Sequence, residues 1–115
     1  MGKSNGLRAL ELAQLIAKEI KELIDKFPPG APLGLRTQLS DAANSVHSNI
    51  AEGYGRATTA ERRNKLRVAR GELEEMQSQL KAAMHVNYVA KTDFYRVWNR
   101  TQVLHRMLAK LARRP

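Results

Sequence analysis

The sequence predicts an all-α protein, an antiparallel up-down-up-down four-helix bundle formed by a single domain over residues 1–115. Apolar residues recur at alternating steps of three and four along four segments, and no segment shows the period of two that strands require. The connections between the segments are short, which makes successive helices antiparallel neighbours. Hydrophobic residues make up 43% of the chain and charged residues 27%, a balance typical of a folded domain with one core.

The first two predicted helices span residues 5–27 and 35–54. The first apolar stripe consists of Ala9, Ala13, Ile16, Ile20, Leu23 and Phe27. Three prolines and a glycine in residues 28–32 end that helix, because proline lacks an amide donor and clashes with the preceding turn. The second stripe consists of Leu35, Leu39, Ala42, Val46 and Ile50. Gly53 and Gly55 follow it and suit the left-handed conformation that closes helices.

The third predicted helix spans residues 59–86. Thr58 and Glu61 have the spacing of a capping box, in which the threonine hydroxyl accepts a backbone amide of the first turn. The apolar stripe of this helix consists of Leu66, Ala69, Leu73, Met76, Leu80 and Ala83. Gly71 lies inside the helix at a cost of about 1 kcal/mol relative to alanine, which suggests close packing there.

The fourth predicted helix spans residues 93–113, and Thr92 has the right position to cap it. Its apolar stripe consists of Phe94, Val97, Thr101, Leu104, Leu108 and Leu111. Three further apolar residues of this helix lie off the stripe, and an interface between subunits would bury them. They are Trp98, Val103 and Met107.

Charge is the main functional signal. The chain has 20 Lys plus Arg against 11 Asp plus Glu, a net charge of +9, which favours polyanionic partners, nucleic acid first and acidic proteins second. The surplus lies in residues 54–70 and 91–115, and the predicted topology brings the beginning of the third helix and the end of the fourth to the same end of the bundle. Two basic ridges at steps of four and three, with Arg56 nearby, form the predicted nucleic-acid-binding surface. They are Arg63, Arg67 and Arg70, and Arg106, Lys110 and Arg113.

The same residues have a plainer interpretation. An ordinary solvated helix face, partly paired with glutamates further along the third helix, would also carry these charges. Tyr54 and Tyr95 could stack on bases, but isolated tyrosines are more often packing residues.

Catalysis, metals and cofactors are not expected. The chain has no cysteine, no Glu-x-x-His pair and no phosphate-binding glycine loop, and its three histidines fall on three different helices. Neither a signal peptide nor a membrane span is predicted, so we expect a cytoplasmic protein.

Residues 45–56, which read Ser-Val-His-Ser-Asn-Ile-Ala-Glu-Gly-Tyr-Gly-Arg, resemble the family of four-helix bundles encoded by 23S rRNA intervening sequences. The family motif positions are Ser48, Asn49, Glu52, Gly53, Tyr54 and Gly55. The resemblance extends over residues 35–111 and implies a small bacterial protein, often described as ribosomal, that assembles as a homopentamer. From the residues alone, Asn49 could fix the bundle register through a buried amide, and Glu52 could pair with Arg56.

The chain is more distantly similar to the accessory variability protein of diversity-generating retroelements. Two functions therefore remain open. The first is non-catalytic binding of structured RNA, ahead of DNA, with 23S ribosomal RNA as the example. The second is an oligomeric scaffold or accessory factor for an acidic or nucleic-acid-bound enzyme such as a reverse transcriptase.

Overall fold

The structure, a computed structural model, describes residues 4–113 and contains four α-helices and, within those residues, no strand. The helices are α1 (Asn5–Asp25), α2 (Leu33–Tyr54), α3 (Thr59–His85) and α4 (Lys91–Arg113). The predicted all-α class is confirmed. The two ends of the predicted domain, residues 1–3 and 114–115, lie outside the described residues.

The four helices surround one core. Each helix contacts the next one along the chain, and α1 also contacts α4, so the helices follow each other in chain order around the bundle. All residues of the four predicted apolar stripes are buried except Leu35, which is half-buried. Burying a side chain such as Leu73 or Leu104 contributes about 1.5–3 kcal/mol, which makes this core the main source of stability.

The two ends of α3 are closed by local hydrogen bonds. The Thr58 hydroxyl accepts the Glu61 amide at 3.2 Å, as the capping-box spacing predicts. After the helix, Asn87 has a φ of 64°, the one positive φ among the non-glycine residues described. The Tyr88 amide then donates to the Ala83 carbonyl at 2.9 Å, the bond of a Schellman motif. The left-handed residue that closes a helix is therefore an asparagine.

The prediction that glycines close α2 in a left-handed conformation is wrong. Gly55, the C-cap of α2, has φ −92° and ψ −3°, which any residue adopts, and no described glycine has a positive φ. Gly53 lies within the helix, where a Cβ atom would meet the Cβ of Lys65 at 3.1 Å and the carbonyl oxygen of Arg62 at 3.4 Å. The missing side chain at Gly53 therefore allows α3 to approach α2.

The start of α4 also differs from the prediction. The helix begins at Lys91, so Thr92 lies within the first turn instead of at the N-cap. The Phe94 amide donates to the Ala90 carbonyl at 2.9 Å, which shows where the helical hydrogen bonds begin.

The proline-rich connection between α1 and α2 is held by Arg36. Its guanidinium donates to the Pro28 carbonyl at 2.6 Å and to the Ile24 carbonyl at 3.4 Å, and it lies 5.7 Å from the centroid of the Phe27 ring. This one side chain thus adds a donor to two carbonyls, at the end of α1 and in the loop, which also accept the amides of Phe27 and Ala31.

Candidate nucleic-acid interface

Side-chain contacts between α3 and α4 determine how the two helices lie beside each other. Nε2 of His105 lies 3.1 Å from Oε2 of Glu74, and Nζ of Lys81 lies 5.2 Å from the centroid of the Trp98 ring. In these contacts the residue number rises along α3 as it falls along α4. Of these pairs, Glu74 and His105 form the one that is closer in sequence to the two predicted basic ridges.

The predicted ridge of α3 is on the side of that helix that contacts α4. Arg67 and Arg70 precede the α4-contacting residues Glu74 and Gln77 by seven positions, which is about two helical turns. Arg67 is exposed, and Arg63 and Arg70 are half-buried. Neither Arg67 nor Arg70 forms an ion pair or hydrogen bond with any residue in 4–113.

The predicted ridge of α4 is exposed at Arg106, Lys110 and Arg113. Lys110 lines a small cavity with Asn5, so it lies on the side toward α1, and Arg106, four residues earlier, lies on nearly the same face of the helix. Lys110 and Arg113 are in the last turn, where cations complement the helix dipole. None of the three pairs with an acid among the residues described.

In the first half of α4, unlike the second half, the arginines are paired with acids. Glu19 of α1 is 5% exposed and accepts a hydrogen bond from Arg96. Nε of Arg100 lies 2.8 Å from the other oxygen of Glu19, within ion-pair distance although not aligned as a hydrogen bond. Arg96 also donates to Asp93 at 3.2 Å. This bond to Asp93, followed by the charge of Glu19, raises the pKa of Arg96 despite the opposing effect of burial.

Because of these pairings, the arginines of α4 that have no acidic partner among residues 4–113 lie in its second half. The arginines near the start of α4 are neutralised, while those near its end and near the start of α3 are not. We call the unpaired group the α3–α4 basic surface, and it consists of Arg67, Arg70, Arg106, Lys110 and Arg113. Sequence reasoning missed the Glu19 network, because its partners are 77 positions apart.

Arg56 belongs to a different environment. It lies 3.9 Å from the carboxylate of Glu52, the partner that the spacing of four predicts, and both side chains are about half exposed. The closer partner of Glu52 is Lys65 of α3, at 3.0 Å, which the sequence did not reveal. Arg56 is therefore close in sequence to the predicted ridge of α3, but in the structure it lies beside a carboxylate.

The motif residues Ser48 and Asn49 have local roles in the structure. Ser48 is exposed, and the Asn49 amide donates to the carbonyl of Ser45 at 2.8 Å and to its hydroxyl at 3.1 Å. Both of these bonds lie within α2, so the hypothesis that Asn49 fixes the bundle register through a buried amide is wrong. The physical reason is that an asparagine one turn beyond a serine finds acceptors on its own helix.

Register is instead supported by a buried polar contact between α3 and α4. Gln77 is 9% exposed and donates to the hydroxyl of Thr101, which is fully buried, at 2.9 Å. That hydroxyl in turn donates to the Trp98 carbonyl at 2.6 Å. The position of Thr101 in the sequence predicted that it belongs to the apolar stripe. In the structure its hydroxyl is buried with that stripe and is fully hydrogen-bonded.

The aromatic residues are mainly packing residues. The Tyr54 ring lies under the guanidinium of Arg62, 5.3 Å away, and also against Gly6 of α1. Trp98 stacks on Phe94 with 5.4 Å between centroids, and the Lys81 ammonium lies over the same Trp98 ring. Tyr95 is the more exposed of the two tyrosines considered for base stacking, at 54% against 40% for Tyr54.

Within residues 4–113, no three histidine or acidic side chains come together in a way that could hold a metal ion. No helix in this part of the chain combines the length and apolar character needed to cross a membrane.

Comparisons with known proteins identify relatives of this fold. A crystal structure of a protein of unknown function from the S23 ribosomal protein family of Bacteroides thetaiotaomicron superposes with a TM-score of 0.89. The two sequences are 17% identical, and the match covers 96% of this chain and all of the other. A comparison with curated proteins finds no match.

The family assignment comes from the sequence over nearly its whole length. The model of the 23S rRNA-intervening sequence protein family matches residues 5–110, which include all of α1, α2 and α3 and most of α4. This confirms the resemblance found in residues 45–56. The chain therefore belongs to the 23S rRNA-intervening sequence protein family.

Proposed function

We propose that this protein is a non-catalytic RNA-binding protein that holds structured RNA, such as 23S ribosomal RNA, on the α3–α4 basic surface. The observation that carries the proposal is the set of five cations on two adjacent helices with no acidic partner among residues 4–113. Family membership supports an association with ribosomal RNA. The surface consists of arginine and lysine side chains, which suit phosphate binding.

Phosphate binding would account for placing arginines near the start of α3. Arg62, in the first turn, opposes the helix dipole at a cost of about 0.3–1 kcal/mol, whereas Arg67 and Arg70 lie beyond the reach of that effect. Arginine also matches phosphate geometry through two parallel hydrogen bonds. Arg63 extends the same ridge toward the end of the bundle, and Arg56 would add a weaker contact because Glu52 competes for it.

The proposed binding surface requires that the helices alternate in direction, as in an up-down-up-down bundle. The contacts between Glu74 and His105 and between Lys81 and Trp98 support this for α3 and α4. The contact of Gly6, near the start of α1, with Tyr54, at the end of α2, supports it for the first two helices.

We further propose that the protein assembles as a homopentamer in the cytoplasm. Val103, 42% exposed on α4, and Leu7 and Leu15 on α1 are apolar side chains that an interface would cover. Trp98 no longer supports this, because Phe94 and Lys81 account for its packing within one chain. Sedimentation velocity would give the mass of the assembly, and a monomer at micromolar concentration would contradict the proposal.

The test of RNA binding is fluorescence anisotropy with 23S ribosomal RNA hairpins and matched DNA duplexes at several salt concentrations. The variant Arg67→Glu/Arg70→Glu reverses two charges of the α3–α4 basic surface. The matched control Lys18→Glu/Lys91→Glu makes the same change in net charge at exposed positions that have no ion pair among residues 4–113. We leave Arg63 intact, because it also lines a cavity.

The expected result is a loss of binding in the first variant and little change in the control. Binding should fall steeply with salt, because each phosphate contact releases counterions. Equal losses in the two variants would show that only net charge matters, and no RNA binding by the wild type would favour an acidic protein partner instead.

A further inference from the structure

A cavity of about 190 Å³ lies at the end of the bundle where the basic ridges meet. We call it the terminal cavity. All four helices or their caps contribute to its lining, and its residues include Ser4, Tyr54, Thr59, Arg62, Arg63 and Leu111. Among residues 4–113, none that lines it is acidic. The neighbouring small cavity that Lys110 lines shares Leu111 with it, so a third cation lies close by.

Arg62 is the distinctive residue of the terminal cavity. The Arg62 guanidinium lies over the Tyr54 ring, 5.3 Å from its centroid. This contact orders the Arg62 side chain before any ligand binds. Its Nε is buried and has no hydrogen-bond partner among residues 4–113. Buried donors are nearly always paired in proteins, so the hydrogen bonding of Arg62 is incomplete in the structure.

We propose that the terminal cavity binds a phosphate monoester, namely the terminal phosphate of a nucleic-acid strand. This inference rests on the proposed function, and it adds that the protein recognises the end of the nucleic-acid strand. At about 190 Å³, the cavity is smaller than the 300–1,000 Å³ of typical ligand pockets, which suits one phosphate group better than a whole nucleotide.

Charge favours a strand end over an internal linkage. A phosphate monoester has a charge of about −1.5 to −2 at pH 7, because its second pKa is about 6, whereas a diester has a single negative charge. Two arginines in one cavity therefore attract the monoester more strongly. The starts of α1 and α3, at Ser4 and Thr59, add backbone amides and the positive ends of two helix dipoles.

The experiment compares RNA oligonucleotides of one sequence that have a 5′-phosphate, a 3′-phosphate or only hydroxyl ends. Their affinities are measured at one salt concentration by competition with a labelled RNA. Thr59→Glu puts a carboxylate at the cavity in the first turn of α3, where an acid suits the helix, and Arg62→Gln removes a cation. Ala60→Glu is the matched control, with the same charge change at an exposed neighbouring position that does not line the cavity.

We expect the wild type and Ala60→Glu to prefer a phosphorylated end by about tenfold or more, the effect of one or two charged hydrogen bonds. The preference should disappear in Thr59→Glu and Arg62→Gln. It should also weaken as the pH falls through about 6, where the monoester loses its second charge. Equal binding of all three RNAs overturns the inference and leaves the proposed function standing.

Inorganic phosphate gives a second readout that does not depend on RNA binding. If no RNA binds, the proposed function fails, but a rise in melting temperature with phosphate in the wild type and Ala60→Glu, absent in Thr59→Glu, would still support an anion site. No such rise, together with no preference for phosphorylated ends, overturns the site. A rise in melting temperature without that preference overturns recognition of the strand end.

Discussion

Gly53 of α2 lies directly against Lys65 of α3, because a Cβ atom on Gly53 would be 3.1 Å from the Cβ atom of Lys65. The carbonyl of Arg62 is 3.4 Å from the same point, so a side chain at Gly53 would press on both backbone and side chain. This close approach places Lys65 where it can pair with Glu52, at 3.0 Å.

The first prediction follows from that approach. Gly53→Val should lower the free energy of unfolding by about 1–3 kcal/mol, the usual cost of forcing extra carbon atoms into a packed contact. Denaturant unfolding measures it. Gly71→Val is the control, since a Cβ atom there has nothing within 4 Å, and equal effects of the two substitutions would contradict the close approach.

The second prediction concerns Gly71, which the sequence suggested to be a site of close packing. The structure shows open space around it within an otherwise regular helix. Gly71→Ala should therefore raise the free energy of unfolding by about 0.5–1 kcal/mol through helix propensity alone. The reverse change at an exposed position of the same helix, Ala82→Gly, should lower it by a similar amount. A destabilising Gly71→Ala would reveal a packing partner at this position.

The third prediction concerns the buried carboxylate of Glu19. Glu19→Gln keeps the volume but removes the charge that faces Arg96 and Arg100. Breaking a buried ion pair costs about 3–5 kcal/mol, but both arginine side chains are nearly two-fifths exposed and water can solvate them. We therefore expect a loss of about 1–3 kcal/mol in denaturant unfolding.

Glu22→Gln is the control for that measurement, because Glu22 is exposed on the same helix. Its effect should stay within about 0.5 kcal/mol, as for most surface substitutions. Similar values for Glu19→Gln and Glu22→Gln would show that the Glu19 network contributes little to stability.

The fourth prediction distinguishes Arg67 from Arg56. Arg67→Ala should weaken RNA binding uniformly across sequences and reduce the slope of log affinity against log salt by about one, the loss of one phosphate contact. Arg56→Ala should change that slope less, because Glu52 already neutralises part of the Arg56 charge. Salt titrations by fluorescence anisotropy measure both slopes, and a larger change for Arg56→Ala would place the RNA at the connection between α2 and α3.

Much of the α3–α4 basic surface could be predicted from helical phase. Arg67 and Arg70 fall outside the stripe that contains Leu66 and Leu73, so the period of the helix predicts that neither is part of the core; Arg67 is exposed and Arg70 half-buried. Pairing could not be predicted in the same way. Whether an arginine is free or neutralised depends on acids that are distant in sequence, as Glu19 is from Arg96.

Local pattern alone determined the four helices, the apolar stripes and the cap at Thr58, because backbone hydrogen bonding and the burial of one helix face act over neighbouring residues. Packing between helices decided the rest. It gave Gly53 a steric role, left Gly71 in open space, ordered Arg62 over Tyr54 and placed both beside the terminal cavity. These features depend on how closely two helix surfaces approach, and that distance is set jointly by residues far apart in the chain.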